Sequence, residues 1–211
     1  MVRLSGLESK SDIRQRITVL RDAVSPEQRA EWSRAICQRA IELPAYTSAK
    51  VIHCFLSMRS EIDSTDLIQH ALAHRKRVAI PHFVRNHAET PCLEITTLDD
   101  AAFAVSGFGL RIPRHKVPLA PEQIDVAFVP LLAFAISPIS VLSRIEAQPK
   151  NSIINGTYHR VGYGAGYYDR FLVRLRADAA KLGLAFALQQ VNRFEIEAFD
   201  VPLDLVITEK R

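Results

Sequence analysis

The chain has 211 residues, 48% of them hydrophobic and 24% charged, with a net charge of +4 and a pI near 9.1. That balance supports one substantial core, and no apolar run reaches the roughly 18 residues that a bilayer span requires. The opening MVRLSGLESKSDIRQRI lacks the apolar centre of a signal peptide, so the cytoplasm is the default compartment.

The first predicted element runs from about Lys10 to Val24, with Ile13, Ile17 and Leu20 at helical spacing and Arg14, Arg16 and Arg21 pointing elsewhere. Ser25-Pro26-Glu27-Gln28 then reads as a helix start, with a capping serine, proline at the first position and glutamine completing a capping-box pattern. That second helix extends to about Ile41. The period changes at Lys50 to Leu56, a buried strand; Ser64-Thr65-Asp66 opens a helix to about His74; and Arg77 to Pro81 is a second strand. Further strands are expected at Leu93–Leu98, Ile124–Leu132, Gly183–Leu188 and Leu205–Thr208, with a helix from about Tyr167 to Lys181.

Short apolar strands alternating with helices predict an α/β fold, a mostly parallel central sheet flanked by helices, in a single domain spanning 1–211. Ligands of such sheets bind beyond the carboxyl ends of the strands. Residues 136–158 carry Ser, Pro, Asn and Gly without a sustained period, and read as a functional loop or a partly disordered insertion.

Gly162-Tyr163-Gly164-Ala165-Gly166 carries the strongest chemical signal. Alternate glycines allow close backbone approach and can turn N–H groups toward an anion, and the helix that follows would add its positive end. A flexible turn of small residues has the same composition, so spacing alone leaves both readings open. Arg160 and Arg170 bracket the segment. Asp169, in the first turn of the next helix, either complements the helix dipole or holds Mg²⁺ against nucleotide phosphates. Lys10 and Arg14 share a helical face, which is either a solvated basic face or a clamp on a triphosphate. Glu61 follows a strand end and suits either a surface loop or a substrate contact; Asp200 is either a turn residue or a second metal carboxylate.

Other chemistries lack their parts. Cys37, Cys54 and Cys92 form no CxxC pair. His70 and His74 form an HxxxH pair, but Ala71 stands where a zinc hydrolase needs glutamate, which leaves a solvated helix face. No GxSxG elbow is present. The positive charge suits anionic partners, yet the basic residues are dispersed and not interleaved with aromatics, so nucleic acid is a reserve reading.

Taken in order, the motifs resemble the 5-formyltetrahydrofolate cyclo-ligase (5,10-methenyltetrahydrofolate synthetase) family. The likeness starts at Lys10-Ser11-Asp12-Ile13-Arg14 and Ser25-Pro26-Glu27, and continues through Phe55-Leu56-Ser57-Met58, Glu61-Ile62-Asp63, Phe108-Gly109-Leu110 and Asp125 to Pro130. The glycine loop joined to Tyr167-Tyr168-Asp169-Arg170 and the distal Asp200-Val201-Pro202-Leu203-Asp204 through Thr208-Glu209-Lys210 are its most specific parts.

The resemblance implies an enzyme that uses ATP to phosphorylate the formyl oxygen of a reduced folate. Lys10 and Arg14 would hold the phosphates, together with Arg160, Gly162, Tyr163, Gly164, Ala165, Gly166, Tyr167 and Tyr168. Leu56, Glu61 and the loop from Tyr163 to Tyr167 would contact the folate. Asp169 and Asp200 would bind Mg²⁺, and Arg160, Tyr167 and Asp169 would be catalytic. A monomer without a membrane partner is expected in the default cytoplasmic compartment, with nucleic acid kept as the reserve reading. Ala135, Ile112 and Phe199 replace the family's usual Asp, Glu and His. These departures motivate an alternative, a relative that binds ATP and another pterin-like ligand.

Overall fold

The computed structural model describes residues 8–83, 91–106, 109–138 and 156–210. Helix α1 (Lys10–Asp22) begins where Ser9 accepts a hydrogen bond from the Asp12 N–H, and buries Ile13, Ile17 and Arg21. Helix α2 (Pro26–Glu42) begins where Ser25 accepts from the Gln28 N–H at 3.1 Å. The Gln28 amide donates to Glu31 instead, so only half of the predicted capping box forms. A short α3 (Pro44–Ser48) leads into β1 (Val51–His53), followed by α4 (Thr65–Ala73) and β2 (Arg77–Pro81).

The chain continues through β3 (Cys92–Ile95), β4 (Phe103–Val105), β5 (Arg111–Pro113), β6 (Val117–Leu119) and β7 (Val126–Pro130). It ends with β8 (Ala133–Pro138), β9 (Gly156–Val161), α5 (Tyr167–Leu172), β10 (Ala180–Leu184) and β11 (Leu205–Ile207). The central sheet has seven strands in the order β11-β10-β7-β1-β2-β3-β6. The five from β11 to β2 pair in parallel, and β3 and β6 add antiparallel at one edge. The sheet is therefore mixed, with the expected parallel frame at its centre.

Alternation along the strands divides the core into two layers. Phe128 and Val126 of β7, with Ile52 and Val78, join Ile36 of α2 and Ile68 of α4 on one face. Ala127 and Val129, with Val51 and Ala79, meet Tyr167, Phe171 and Leu172 of α5 on the other. A third cluster packs Ile13 and Ile17 of α1 on Ala133, Ala135 and Val161 of the β8–β9 ribbon. From β1 the chain proceeds to β2 on one side, and it later returns as β7 on the other. The carboxyl ends of β1 and β7 thus flank a topological switch point, where open α/β sheets form their ligand crevice.

Several elements differ from expectation for identifiable reasons. The helix expected over Tyr167–Lys181 ends at Leu172, and its last two expected residues, Ala180 and Lys181, instead pair with Val126 and Ala127, where parallel pairing overrides local helix preference. The strand expected over Lys50–Leu56 narrows to Val51–His53; the Cys54 N–H still donates to the Ala79 carbonyl at 2.9 Å, and the chain then leaves the sheet. Gly183–Leu188 resolves into the end of β10 and a 3-10 turn at Ala187–Gln189. The stretch 136–158 is not simply a loop: its ends continue β8 and β9, paired from Ala133–Val161 to Pro138–Gly156. The rest of it lies outside the described residues, as does Phe108. Among the described residues no helix is long and apolar enough to cross a membrane.

Candidate functional site

A cavity of about 880 Å³ opens at the carboxyl ends of β1, β2 and β7, where Phe55, Leu56, Pro81 and Pro130 form its floor. Every position to which the resemblance assigns a role lines it: Lys10 and Arg14 from α1, Leu56 and Glu61 after β1, Arg160 through Asp169, and Asp200. Residues up to 190 positions apart thus face one volume.

The glycine segment joins β9 to α5. Gly164 and Gly166 have φ of +97° and +64°, a left-handed backbone that favours glycine, whereas Gly162 has no such requirement. Arg14 Nε donates to the Gly162 carbonyl at 2.8 Å, and its guanidinium lies against Gly164. Arg170 donates to the Ala165 carbonyl at 3.1 Å. Among the described residues the N–H groups of Tyr163, Gly164 and Ala165 have no hydrogen-bond acceptor, so they remain free for an anion. Helix α5 has only six residues, so the macrodipole contribution expected from a longer helix is reduced.

Arg160 lies beneath the loop with its side chain 4% exposed. Its Nη2 donates to Asp169 Oδ1 at 2.5 Å, and its Nη1 donates to the Val201 carbonyl. Burial pulls the guanidinium pKa down, against the pull of Asp169. Asp200 Oδ2 accepts from Lys10 Nζ at 2.6 Å and from the Glu197 N–H at 2.8 Å. Lys10 also donates to Glu197 at 2.6 Å. Burial opposes the ammonium charge, but the bonds to Asp200 and Glu197 outweigh it and raise the Lys10 pKa.

The two aspartates suit a hard cation. In each, one carboxylate oxygen is engaged (Asp169 Oδ1, Asp200 Oδ2), while among the described residues the other accepts no hydrogen bond. Mg²⁺ is commonly held by one or two carboxylates, completed by phosphate and water.

On the opposite wall, Glu61 Oε2 accepts from the Met58 N–H at 2.9 Å. Burial raises the Glu61 pKa, opposed by hydrogen bonds from Tyr163 and Met58 and by the charge of Arg21. Tyr163 is 51% exposed, yet its hydroxyl end is enclosed, and burial with the neighbouring Glu61 raises its pKa. Tyr167 contributes its ring to the wall, while its hydroxyl donates to the Pro91 carbonyl at 3.1 Å. Tyr168 Oη lies 3.4 Å from His53 Nε2.

The structure adds residues the sequence reading did not single out: Arg21, Asp22, Ser60 and Glu197. Arg21 was findable, since eleven residues after Lys10 returns a helix to nearly the same face. The three substituted positions separate. Phe199 lines the main cavity and is 64% exposed. Ile112 lines a small side pocket, and Ala135 is buried in the α1 cluster.

The 5-formyltetrahydrofolate cyclo-ligase family model matches residues 7–137 and 154–209. A "Probable 5-formyltetrahydrofolate cyclo-ligase" of Caenorhabditis elegans is 27% identical over 96% of this chain and 93% of its own length. The Haemophilus influenzae 5-formyltetrahydrofolate cyclo-ligase is 27% identical over 93% of this chain and 95% of its own. The NMR structure of Aquifex aeolicus 5,10-methenyltetrahydrofolate synthetase superposes with a TM-score of 0.74 at 26% identity, over 96% of this chain and 90% of that one. A Mycoplasma pneumoniae 5,10-methenyltetrahydrofolate synthetase shares the fold, with a TM-score of 0.69 at 22% identity over 96% and 100% of the two chains. The matched segments contain each wall of the cavity, and on these grounds the chain belongs to the 5-formyltetrahydrofolate cyclo-ligase family.

Proposed function

We propose that this protein converts 5-formyltetrahydrofolate and ATP to 5,10-methenyltetrahydrofolate, ADP and phosphate, with Mg²⁺ as cofactor. The observation that carries the reading is convergence: the glycine loop, two α1 cations, two aspartates and the Glu61 carboxylate all line one cavity.

Lys10, Arg14 and the loop from Arg160 to Tyr168 hold the ATP phosphates, and Leu56, Glu61 and residues Tyr163–Tyr167 hold the folate. Asp169 and Asp200 hold Mg²⁺, which when bound offsets phosphate charge. Arg160 acts beside the transferred group and keeps Asp169 aimed, and Tyr167 supports the reacting ends through its ring. The formyl oxygen attacks the γ-phosphorus and ADP departs with the bonding electron pair. Nitrogen 10 then adds to the formyl carbon and loses its proton, and phosphate leaves with the former formyl oxygen. Such chemistry requires positioning and charge stabilisation more than a covalent nucleophile.

The alternative, a different pterin-like ligand, draws on Phe199 alone, since Ala135 and Ile112 stand outside the main cavity. The reading also places the chain in the cytoplasm as a single-domain monomer, which size-exclusion chromatography with light scattering tests. The decisive assay follows near-ultraviolet absorbance of the methenyl product with Mg²⁺, ATP and 5-formyltetrahydrofolate. A rise is expected; no rise from folded protein that binds ATP would overturn the assignment.

A further inference from the structure

The last turn of α1 carries Arg21, a charged residue only 3% exposed. Its Nε donates to Ser60 Oγ at 3.0 Å, and its Nη1 donates to Tyr163 Oη at 3.0 Å. The guanidinium carbon stands 5.9 Å from the Tyr163 ring centroid. Ser60 donates onward to Asp22 Oδ1. Tyr163 neighbours Glu61 closely enough that each perturbs the other's ionisation, and Glu61 Oε2 accepts from the Met58 N–H at 2.9 Å.

One guanidinium thus ties together three walls of the cavity: helix α1, the turn at 58–61 and the glycine loop. Both of its side-chain partners are hydroxyls, so its charge is not neutralised by direct pairing and acts on nearby Glu61. Burying a charge is costly, and an apolar side chain would fill the space without that cost. What an apolar residue lacks is the rigid fork, which donates in two directions at once. The turn it holds is not relaxed either: Arg59, next to Ser60, has a φ of +53°.

We propose that Arg21 is a positioning residue for the ligand bound by Glu61. Through Tyr163 and Ser60 it holds the glycine loop against the 58–61 turn and so aims the Glu61 carboxylate into the cavity. The ligand's identity as reduced folate rests on the functional reading above; the clamp itself does not.

Two measurements on Arg21→Met, Arg21→Lys, Tyr163→Phe and the Arg21→Met/Tyr163→Phe double variant test this. In ligand-free protein, exchange of the hydrogen-bonded Met58 and Glu61 amides should accelerate at least about fivefold in Arg21→Met, with α2 and α4 unchanged. In turnover, Arg21→Met should raise KM for 5-formyltetrahydrofolate about tenfold and that for ATP less than about twofold, a loss typical of one charge-assisted bond. Tyr163→Phe should reproduce the split, the double variant should add nothing to it, and Arg21→Lys should restore it only in part. Uniformly faster exchange, equal rises in both KM values or full rescue by lysine would each reduce Arg21 to a merely structural residue. A wild-type protein that forms no methenyl product defeats the functional reading instead, and the exchange experiment still decides the clamp.

Discussion

Lys10 Nζ and Asp200 Oδ2 stand 2.6 Å apart, joining the first residue of α1 to a carboxylate 190 positions later. Glu197 completes the arrangement from the other side of the ammonium, also at 2.6 Å. In the proposed complex each member exchanges partners: phosphate replaces carboxylate at Lys10, and a divalent cation replaces ammonium at Asp200. Lys10→Met should therefore act in opposite directions on the two ligands. It should weaken metal-free ATP binding about tenfold or more, the scale of a lost charge-assisted contact. It should also tighten Mg²⁺ binding in the absence of nucleotide several-fold, because two carboxylates lose their cation. Calorimetric titration reads each separately, and a Mg²⁺ affinity equal to that of wild type would sink the exchange.

Arg160 and Asp169 form a second pair, in which the arginine is the more buried partner. Removing one member of such a pair leaves a buried charge uncompensated, which typically costs about 3–5 kcal/mol. Asp169→Asn retains an acceptor for Arg160, so its stability loss should be smaller, about 1–3 kcal/mol. Its turnover at saturating Mg²⁺-ATP should fall by about two orders of magnitude or more, the scale of losing one preorganised electrostatic contact. Arg160→Met should show the larger stability loss, and the double variant should cost less than the sum of the two. Urea unfolding alongside the methenyl assay measures both. Additive stability losses would mean the pair is not coupled.

The parallel frame was readable because Val51–His53, Val78–Ile80 and Val126–Val129 are buried on both faces and therefore appear as continuous apolar runs. The β8–β9 ribbon was not, because Ala133–Pro138 finds its partner Gly156–Val161 across a long connection and no local alternation announces it. The helix after the glycine loop was placed correctly at its start and overextended at its end, where a sheet partner outside any local window decides the structure. The site followed the same division. The glycine segment stood out locally as an even choice between a phosphate cradle and a turn, whereas for Lys10 and Arg14 spacing favoured the solvated basic face over the clamp. Their contacts with Asp200 and Gly162 come only with the fold. Arg21, expected off the apolar face with Arg14 and Arg16, is instead buried against hydroxyls from two distant loops, while Leu20, expected on that face, is 45% exposed.

Gly183 provides a test of packing away from the chemistry. It sits within β10, and a Cβ there would stand 2.7 Å from Leu131 Cδ2, 2.9 Å from Leu203 Cδ1 and 3.0 Å from Val206 Cγ2. All three neighbours are themselves buried in the layer shared with α5, so little room exists for them to withdraw. Gly183→Ala should destabilise by about 1–3 kcal/mol, the usual range for overpacking a dense core. The KM values should stay near wild type at a temperature where both proteins are folded. A variant as stable as wild type in urea would show that this layer has slack that its contact distances do not reveal.

His53 makes a pH-dependent prediction whose sign follows from its burial. It is fully enclosed at the end of β1, with Nδ1 3.6 Å from Cys92 Sγ and its ring 4.4 Å from that of Phe171. Burial pushes its pKa down to about 3, against an ordinary value of 6.5. The folded state therefore holds the neutral ring, and the unfolded chain binds a proton more readily. Stability from this group is fully present above about pH 6.5 and is lost as pH falls toward 3. At pH 5 the loss should reach about 2 kcal/mol, taking 1.36 kcal/mol per unit below the unfolded pKa. His159, also shifted down by burial, contributes in the same direction, so the increment must be measured as a difference. Urea unfolding of wild type and His53→Gln at pH 7.5 and pH 5.0 supplies it. The glutamine variant should start less stable but lose about 2 kcal/mol less on acidification. If both proteins weaken equally between those pH values, His53 is not the neutral, proton-excluding residue that its position beneath α5 implies.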